Sequence, residues 1–137
     1  MYEKILVPVD LSHVRALDKA LKTAAELAKR YDAELSYFGV TSSSPGPVAH
    51  TPEEFGEKLA EFAKERSRED GVTASAEYKV VPDPASDLNH TLLAAIEKSG
   101  ADLVVMASHR PGLPEHLFAS HAGYVAAHSK ASVMVVR

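Results

Sequence analysis

Residues 106–137 read MASHRPGLPEHLFASHAGYVAAHSKASVMVVR, and the succession of patterns in this stretch decides the fold. Met106 and Ala107 close a continuous apolar run that begins at Leu103, the mark of a strand buried on both faces. A polar loop starts at Ser108. A helix is expected to open near Ser120 and to end at Ser129, and Ser132 to Val136 forms a last apolar, β-branched strand. A strand, a loop and a helix start in that order suit an anion, because the first N–H groups of a helix have no partner within it.

The rest of the chain repeats the same alternation. Ile5 to Val9 is a short buried strand that ends in Pro8-Val9-Asp10. Ser12 is the expected N-cap of a helix whose inward face is Val14, Leu17, Ala20, Leu21, Ala24, Ala25 and Ala28. Leu35 to Val40 is a second strand, and Thr41 to His50 is rich in turn residues. Thr51-Pro52-Glu53-Glu54 is a helix start in which Thr51 caps, Pro52 takes the first helical position and Glu54 completes a capping box. That helix buries Phe55, Leu59 and Phe62, runs to about Arg68 and stops at Asp70-Gly71. Thr73 to Val81 is a third strand, broken by Pro82-Asp83-Pro84. A further helix runs from Asp87 or Leu88 to Lys98 and ends at Ser99-Gly100, and Leu103 to Ala107 is the fourth strand. Strands alternating with helices predict an α/β domain with a mainly parallel sheet and right-handed crossovers.

Composition sets the outer bounds. A chain of 137 residues with 45% apolar and 25% charged residues is expected to form one domain, 1–137, with a full core. No apolar run approaches the ~20 residues that span a membrane, and MYEKILVPVD is expected to enter the core as a strand rather than to act as a signal peptide. The chain has no cysteine, which excludes disulfides, thiol catalysis and cysteine metal sites and fits a cytoplasmic protein. The net charge is −4 and the basic residues are dispersed, so no nucleic-acid footprint is expected. No G-x-S-x-G and no Walker lysine motif occurs. The seven histidines include no H-E-x-x-H pair, and neither a metal site nor catalytic residues are expected among them.

The stretch from Met106 to Arg137 closely resembles the C-terminal nucleotide loop of the universal stress protein family, nearest to the F-type branch whose loop begins A-S-H-R-P. Many members carry Gly, two residues, Gly, nine residues, Gly, then Ser or Thr. Here Ala107, Arg110, Ala119 and Ser120 stand at those places, and the loop is one residue shorter. The resemblance implies a Rossmann-like three-layer open sandwich, similar to the adenine nucleotide alpha hydrolases, with five strands in the order 3-2-1-4-5. It implies a crevice between strands one and four, where ligands of open parallel sheets lie. Pro8, Val9 and Asp10 match the family motif near the base and ribose, and Asp10 is also the candidate contact for a nucleotide-bound Mg. Val40 matches the residue whose backbone reads adenine. Met106, Ala107, Ser108, His109 and Arg110 match the first glycine turn, and Ala119, Ser120 and His121 match the helix start that holds phosphates.

What the resemblance implies is a cytoplasmic stress-response sensor or regulator that binds ATP or a related adenine nucleotide, with slow ATP hydrolysis as the most catalysis to expect. Ser132 to Val136 is implied to pair with its twin in a homodimer, with a tetramer and an unidentified regulatory protein as further partners. The alternative is a dimeric interaction module that keeps the fold and has lost the nucleotide, since none of the three glycines is present. Gly112 is the loop's remaining source of backbone freedom.

Overall fold

The computed structural model describes residues 1–137 except Arg110 and Pro114. Five strands, β1 (Lys4–Pro8), β2 (Glu34–Thr41), β3 (Ala74–Val80), β4 (Leu103–Ala107) and β5 (Ser132–Val136), form one sheet in the order β3-β2-β1-β4-β5. All four pairings are parallel. The helices α1 (Asp18–Tyr31), α2 (Pro52–Asp70), α3 (Leu88–Ser99) and α4 (Ala122–His128) are the crossovers. The order expected from the family resemblance is the one observed, and the sheet is parallel throughout.

Each strand alternates side chains between two buried layers. On one face Ile5, Val7, Leu35, Tyr37, Leu103 and Val105 pack against the alanine-rich side of α1 and against Phe55 and Leu59 of α2. On the other, Leu6, Phe38, Val40, Val104 and Met106 pack against Leu88, Leu92 and Ile96 of α3 and Val125 of α4. Small residues at Ala20, Ala24, Ala25 and Ala28 let the α1 backbone lie close to the sheet. Gly39 does the same for α2: a Cβ there would lie 2.8 Å from the Phe55 ring and 3.2 Å from Leu59 Cδ2.

Helix ends follow the sequence signals closely at α2. Thr51 Oγ1 accepts the Glu54 N–H at 3.1 Å, and Glu54 reaches back to the His50 N–H at 3.1 Å. The helix stops where Gly71 takes φ 69°. The start of α1 differs from the expectation. Residues Leu11–Leu17 form a 3₁₀ segment kinked at His13, and the α-helix proper begins at Asp18. The cap of that segment is Asp10 rather than Ser12. Helix α4 also begins later than expected, at Ala122.

One charged residue lies inside the α1/α2 face. Arg66 is buried and meets Asp70 Oδ2 at 3.0 Å, Glu69 at 3.5 Å and Asp18 at 3.6 Å. These are charge contacts rather than aligned hydrogen bonds at Asp70. Burial pushes the neighbouring Tyr37 phenol up to about 12. At the amino end of the sheet Asp102 accepts the Glu3 and Lys4 N–H groups at 3.0 Å, fastening β1 to β4 there.

Replacing Gly39 by alanine should destabilise the fold by about 1–3 kcal/mol, since the new methyl would overlap the ring of Phe55 and crowd Leu59, both buried. Urea unfolding followed by circular dichroism checks this, and a change below about 0.5 kcal/mol would contradict the packing described.

Candidate functional site

The chain leaves β1 toward β2 and β3 on one side and reaches β4 and β5 on the other, so the reversal of strand order lies between β1 and β4. Only Ile5–Leu103 and Leu6–Val104 are paired there, although β1 continues to Pro8 and β4 to Ala107. Pro8 has no N–H to offer a neighbour, and the two strands part at their carboxyl ends. The crevice expected for an open parallel sheet is therefore present, with β2 forming its side.

Backbone direction places Val40 on that crevice. The Phe38 carbonyl accepts the Val9 N–H at 2.8 Å, on the β1 side of the strand. The Thr41 carbonyl accepts the Val81 N–H at 2.9 Å, on the β3 side. Backbone groups alternate in direction along a strand, so the N–H and C=O of Val40 point back to the β1 side. The paired register of β1 ends at Pro8 opposite Phe38. The Val40 amide thus faces the space past the end of β1.

Asp10 stands at the head of the crevice with all of its oxygens engaged. Oδ1 accepts the Ser12 N–H at 3.0 Å and the Ser12 hydroxyl at 2.6 Å. Oδ2 accepts from His13 Nδ1 at 3.0 Å and from the Leu117 N–H at 2.9 Å. The last of these joins residues 107 positions apart and ties the loop after β4 to the end of β1. Burial acts to raise the carboxyl pKa, and the donors from Ser12, His13 and Leu117 together outweigh it, leaving the group below its ordinary value.

The loop is folded inward around His116. This side chain is 4% exposed, and its neighbour Phe118 is 1% exposed. His116 Nε2 lies 2.9 Å from the Ala107 carbonyl, and Nδ1 lies 3.2 Å from the Phe118 N–H. A carbonyl only accepts and an amide only donates, so Nε2 carries the proton and Nδ1 is bare. The ring is neutral. Burial depresses its pKa, against the raising effects of the Ala107 carbonyl and the Asp10 charge. No motif in the sequence singles out His116. The signal for its burial was the apolar pair Leu117-Phe118 inside an otherwise polar loop.

The structure places the sequence-predicted residues in three groups. Pro8, Val9, Val40, Met106 and Ala107 are buried and build the strand ends. Asp10, half-buried Ser108 and half-buried Ala119 lie along the loop junction, and His109 and Ser120 are exposed. Arg110 lies outside the described residues. Ser108 gives its N–H to the Val136 carbonyl at 2.9 Å, while its buried hydroxyl has no partner among the described residues. His121 is joined to Asn89 Oδ1 through Nδ1 at 2.7 Å, which links the start of α4 to α3.

Two backbone donors of the expected phosphate site are engaged within the loop. The Ala119 and His121 N–H groups are taken by turn bonds to the His116 and Phe118 carbonyls, at 3.1 Å each. The N-cap of α4 is His121, with no side-chain cap bond, so the helix opens past Ser120. Gly112 takes φ 83°, a left-handed turn with open space around it. It supplies part of the freedom that Ala107 and Ala119 lack. Beside the loop, Val14, Arg15, Asp18, Pro111, Gly112 and Leu113 line a groove of about 450 Å³. Among the described residues no group of three or more His, Asp or Glu side chains is placed to hold a metal.

A crevice at the β1/β4 reversal, an inward strand-end amide and a loop closed over an aspartate describe an open parallel α/β frame with room for a ligand at its strand reversal. The model of the universal stress protein family matches residues 1–137. The chain belongs to this family. Among curated universal stress proteins, YxiE of Bacillus subtilis is 34% identical, with each chain covered in full. A universal stress protein structure from Burkholderia pseudomallei superposes with a TM-score of 0.70 at 26% identity, covering 98% of this chain and 96% of that one. A universal stress protein solved in complex with cAMP superposes with a TM-score of 0.69 at 19% identity, covering 99% and 97%. Neighbours of the same fold from Archaeoglobus fulgidus and Arabidopsis thaliana were solved with dAMP and with AMP.

Replacing Asp10 by alanine should cost this universal stress protein about 2–3 kcal/mol, because it removes the acceptor shared by Ser12, His13 and Leu117 and leaves the Leu117 N–H unpaired. Hydrogen exchange should accelerate at Leu117. Asp10 stabilises the fold above its ordinary value of 3.8, and that stabilisation is lost as pH falls through the lowered native value. The acid limb of the stability profile should therefore flatten in the alanine variant. An unchanged limb would show that the contacts carry little weight.

Proposed function

We propose that this universal stress protein binds an adenine nucleotide in the β1/β4 crevice and works as a cytoplasmic stress-response regulator rather than as a rapid enzyme. The observation that carries this reading is the Val40 backbone. Its N–H and C=O face the crevice as an adjacent donor and acceptor, which matches the edge of an adenine ring. The buried Ser108 hydroxyl, without a partner among the described residues, is a second candidate polar contact. Fold neighbours that hold cAMP, dAMP and AMP support the same ligand class. ATP is the leading candidate, and its phosphates would lie against the loop and Ser120. Asp10 would reach a ribose hydroxyl, or a nucleotide-bound Mg, only by giving up donors it now accepts.

Isothermal titration with ATP, ADP and AMP checks the reading. Binding at millimolar nucleotide or tighter is expected, weakened at least about tenfold by Ser120→Glu through charge repulsion of the phosphates. Neither heat nor a thermal shift with any of the three would sink it. The second reading, an interaction module without nucleotide, is favoured by one specific fact: Asp10 and the Ala119 and His121 N–H groups are all already bonded within the protein. Nucleotide that co-purifies with the protein, seen as excess absorbance at 260 nm, counts against it.

For assembly, β5 is the natural surface. It is an edge strand, and Met134 and Val135 on it are 39% and 41% exposed. Such an edge is normally covered or charged, and pairing with its twin about a two-fold axis would cover it. Sedimentation should show a dimer at micromolar concentration, and Val135→Lys should shift it toward monomer by about tenfold or more in dissociation constant. A wild-type chain that sediments as a monomer overturns this assignment.

A further inference from the structure

We propose that His116 is a proton-operated latch on the loop between β4 and α4, closed when the ring is neutral and released when it takes a proton. The inference concerns the loop itself and stands whether or not the crevice takes a nucleotide. It rests on the hydrogen-bond pattern. The Ala107 carbonyl requires a proton on Nε2, and the Phe118 N–H requires a bare Nδ1. The two demands are met by one neutral tautomer and by no other state of the ring. Protonation places an N–H at Nδ1 directly against the Phe118 N–H. Two donors then face each other in a site that is 4% exposed, and the Phe118 amide loses its partner.

Among the described residues, few charged and titratable groups face the ring. They are Asp10 at the end of β1, His13 on the 3₁₀ segment and Glu115 in the loop itself. Asp10 and Glu115 favour a charged ring, and His13 opposes it when charged. Burial is the largest influence and favours the neutral form. The sign follows. A histidine held below its ordinary value of 6.5 stabilises the closed loop above that value, and the stabilisation is lost as pH falls from there through the native value. His13 does not act in this way. It already donates Nδ1–H to Asp10, and protonation leaves that donor in place. Asp10 gives up its charge only as pH falls through a native value below its ordinary 3.8.

Release has a defined reach. The His116–Phe118–Leu117 turn is the segment that presents the Leu117 N–H to Asp10 and shapes the turn bonds that engage Ala119 and His121. Opening it frees these backbone donors together and leaves the sheet intact. Any ligand that meets the loop therefore inherits this pH dependence.

Ring ¹⁵N NMR and amide hydrogen exchange on the full-length, ligand-free protein between pH 7.5 and 5 test the proposal. His116 should show the Nε2–H tautomer at pH 7.5 and titrate below its ordinary value. Protection factors of Leu117 and Phe118 should fall about tenfold or more as it does, with β1 and β4 amides unchanged. In His116→Asn the side-chain oxygen keeps an acceptor near Nδ1 without titrating, so protection at Phe118 should become independent of pH. His13→Gln should leave the wild-type response in place. Titration of His116 at or above its ordinary value, constant protection across the titration, or a response that survives in His116→Asn would each overturn the proposal. Should His116→Asn fail to fold, the wild-type tautomer and protection profile decide the matter alone.

Discussion

The carboxylate of Asp10 is the point on which the functional end of the molecule depends. It caps the 3₁₀ segment through Ser12, accepts from His13 and holds the Leu117 N–H of a loop from the far end of the chain. The partly buried charge is stable there because its donors come from three directions. Its counterpart at the other end of the sheet is Asp102, which clamps the start of β1 to the start of β4. Between the two, the strands are paired only at their first halves. The crevice is the region where neighbouring strands have lost each other and an aspartate and a loop bridge the gap.

The frame was legible in the sequence because burial on both faces leaves a continuous apolar run. Ile5 to Val9, Leu35 to Val40 and Leu103 to Ala107 are each of this kind. Thr51-Pro52-Glu53-Glu54 and Gly71 fixed α2 because each letter has one good role at a helix end. The strand order came from family resemblance, since parallel crossovers of similar length leave the order open. The start of α1 was misplaced because Val14 and Leu17 continue the spacing of Ala20 and Ala24. Apolar periodicity alone does not distinguish a kinked 3₁₀ turn from an α-helical one.

The site was legible only where a side chain carries the information. Asp10, Val40 and the Ser108–Ser120 loop were named, yet the contact that joins them is made by the backbone N–H of Leu117, for which no sequence letter exists. His116 was hidden for a related reason. A histidine among Pro, Glu and Ser looks solvated, and only its place beside Phe118 drew it inward. Helix α4 begins two residues late because Phe118 is buried ahead of it, and the chain uses a turn to bring that ring under the loop.

The Asp10–Leu117 bond has a consequence for how the molecule comes into being. β1 lies at the centre of the sheet and is made before β4, the partner on its other side, with two strands and three helices between them. Until then Ile5, Leu6 and Val7 have one exposed flank, a hazard typical of parallel sheets with long sequence separations. The crevice cannot form before β4 is made, because β1 (Lys4–Pro8) and β4 (Leu103–Ala107) stand on its two sides. The crevice is in this sense a report on pairing: a nascent chain acquires it only once β1 and β4 have both been made and have met.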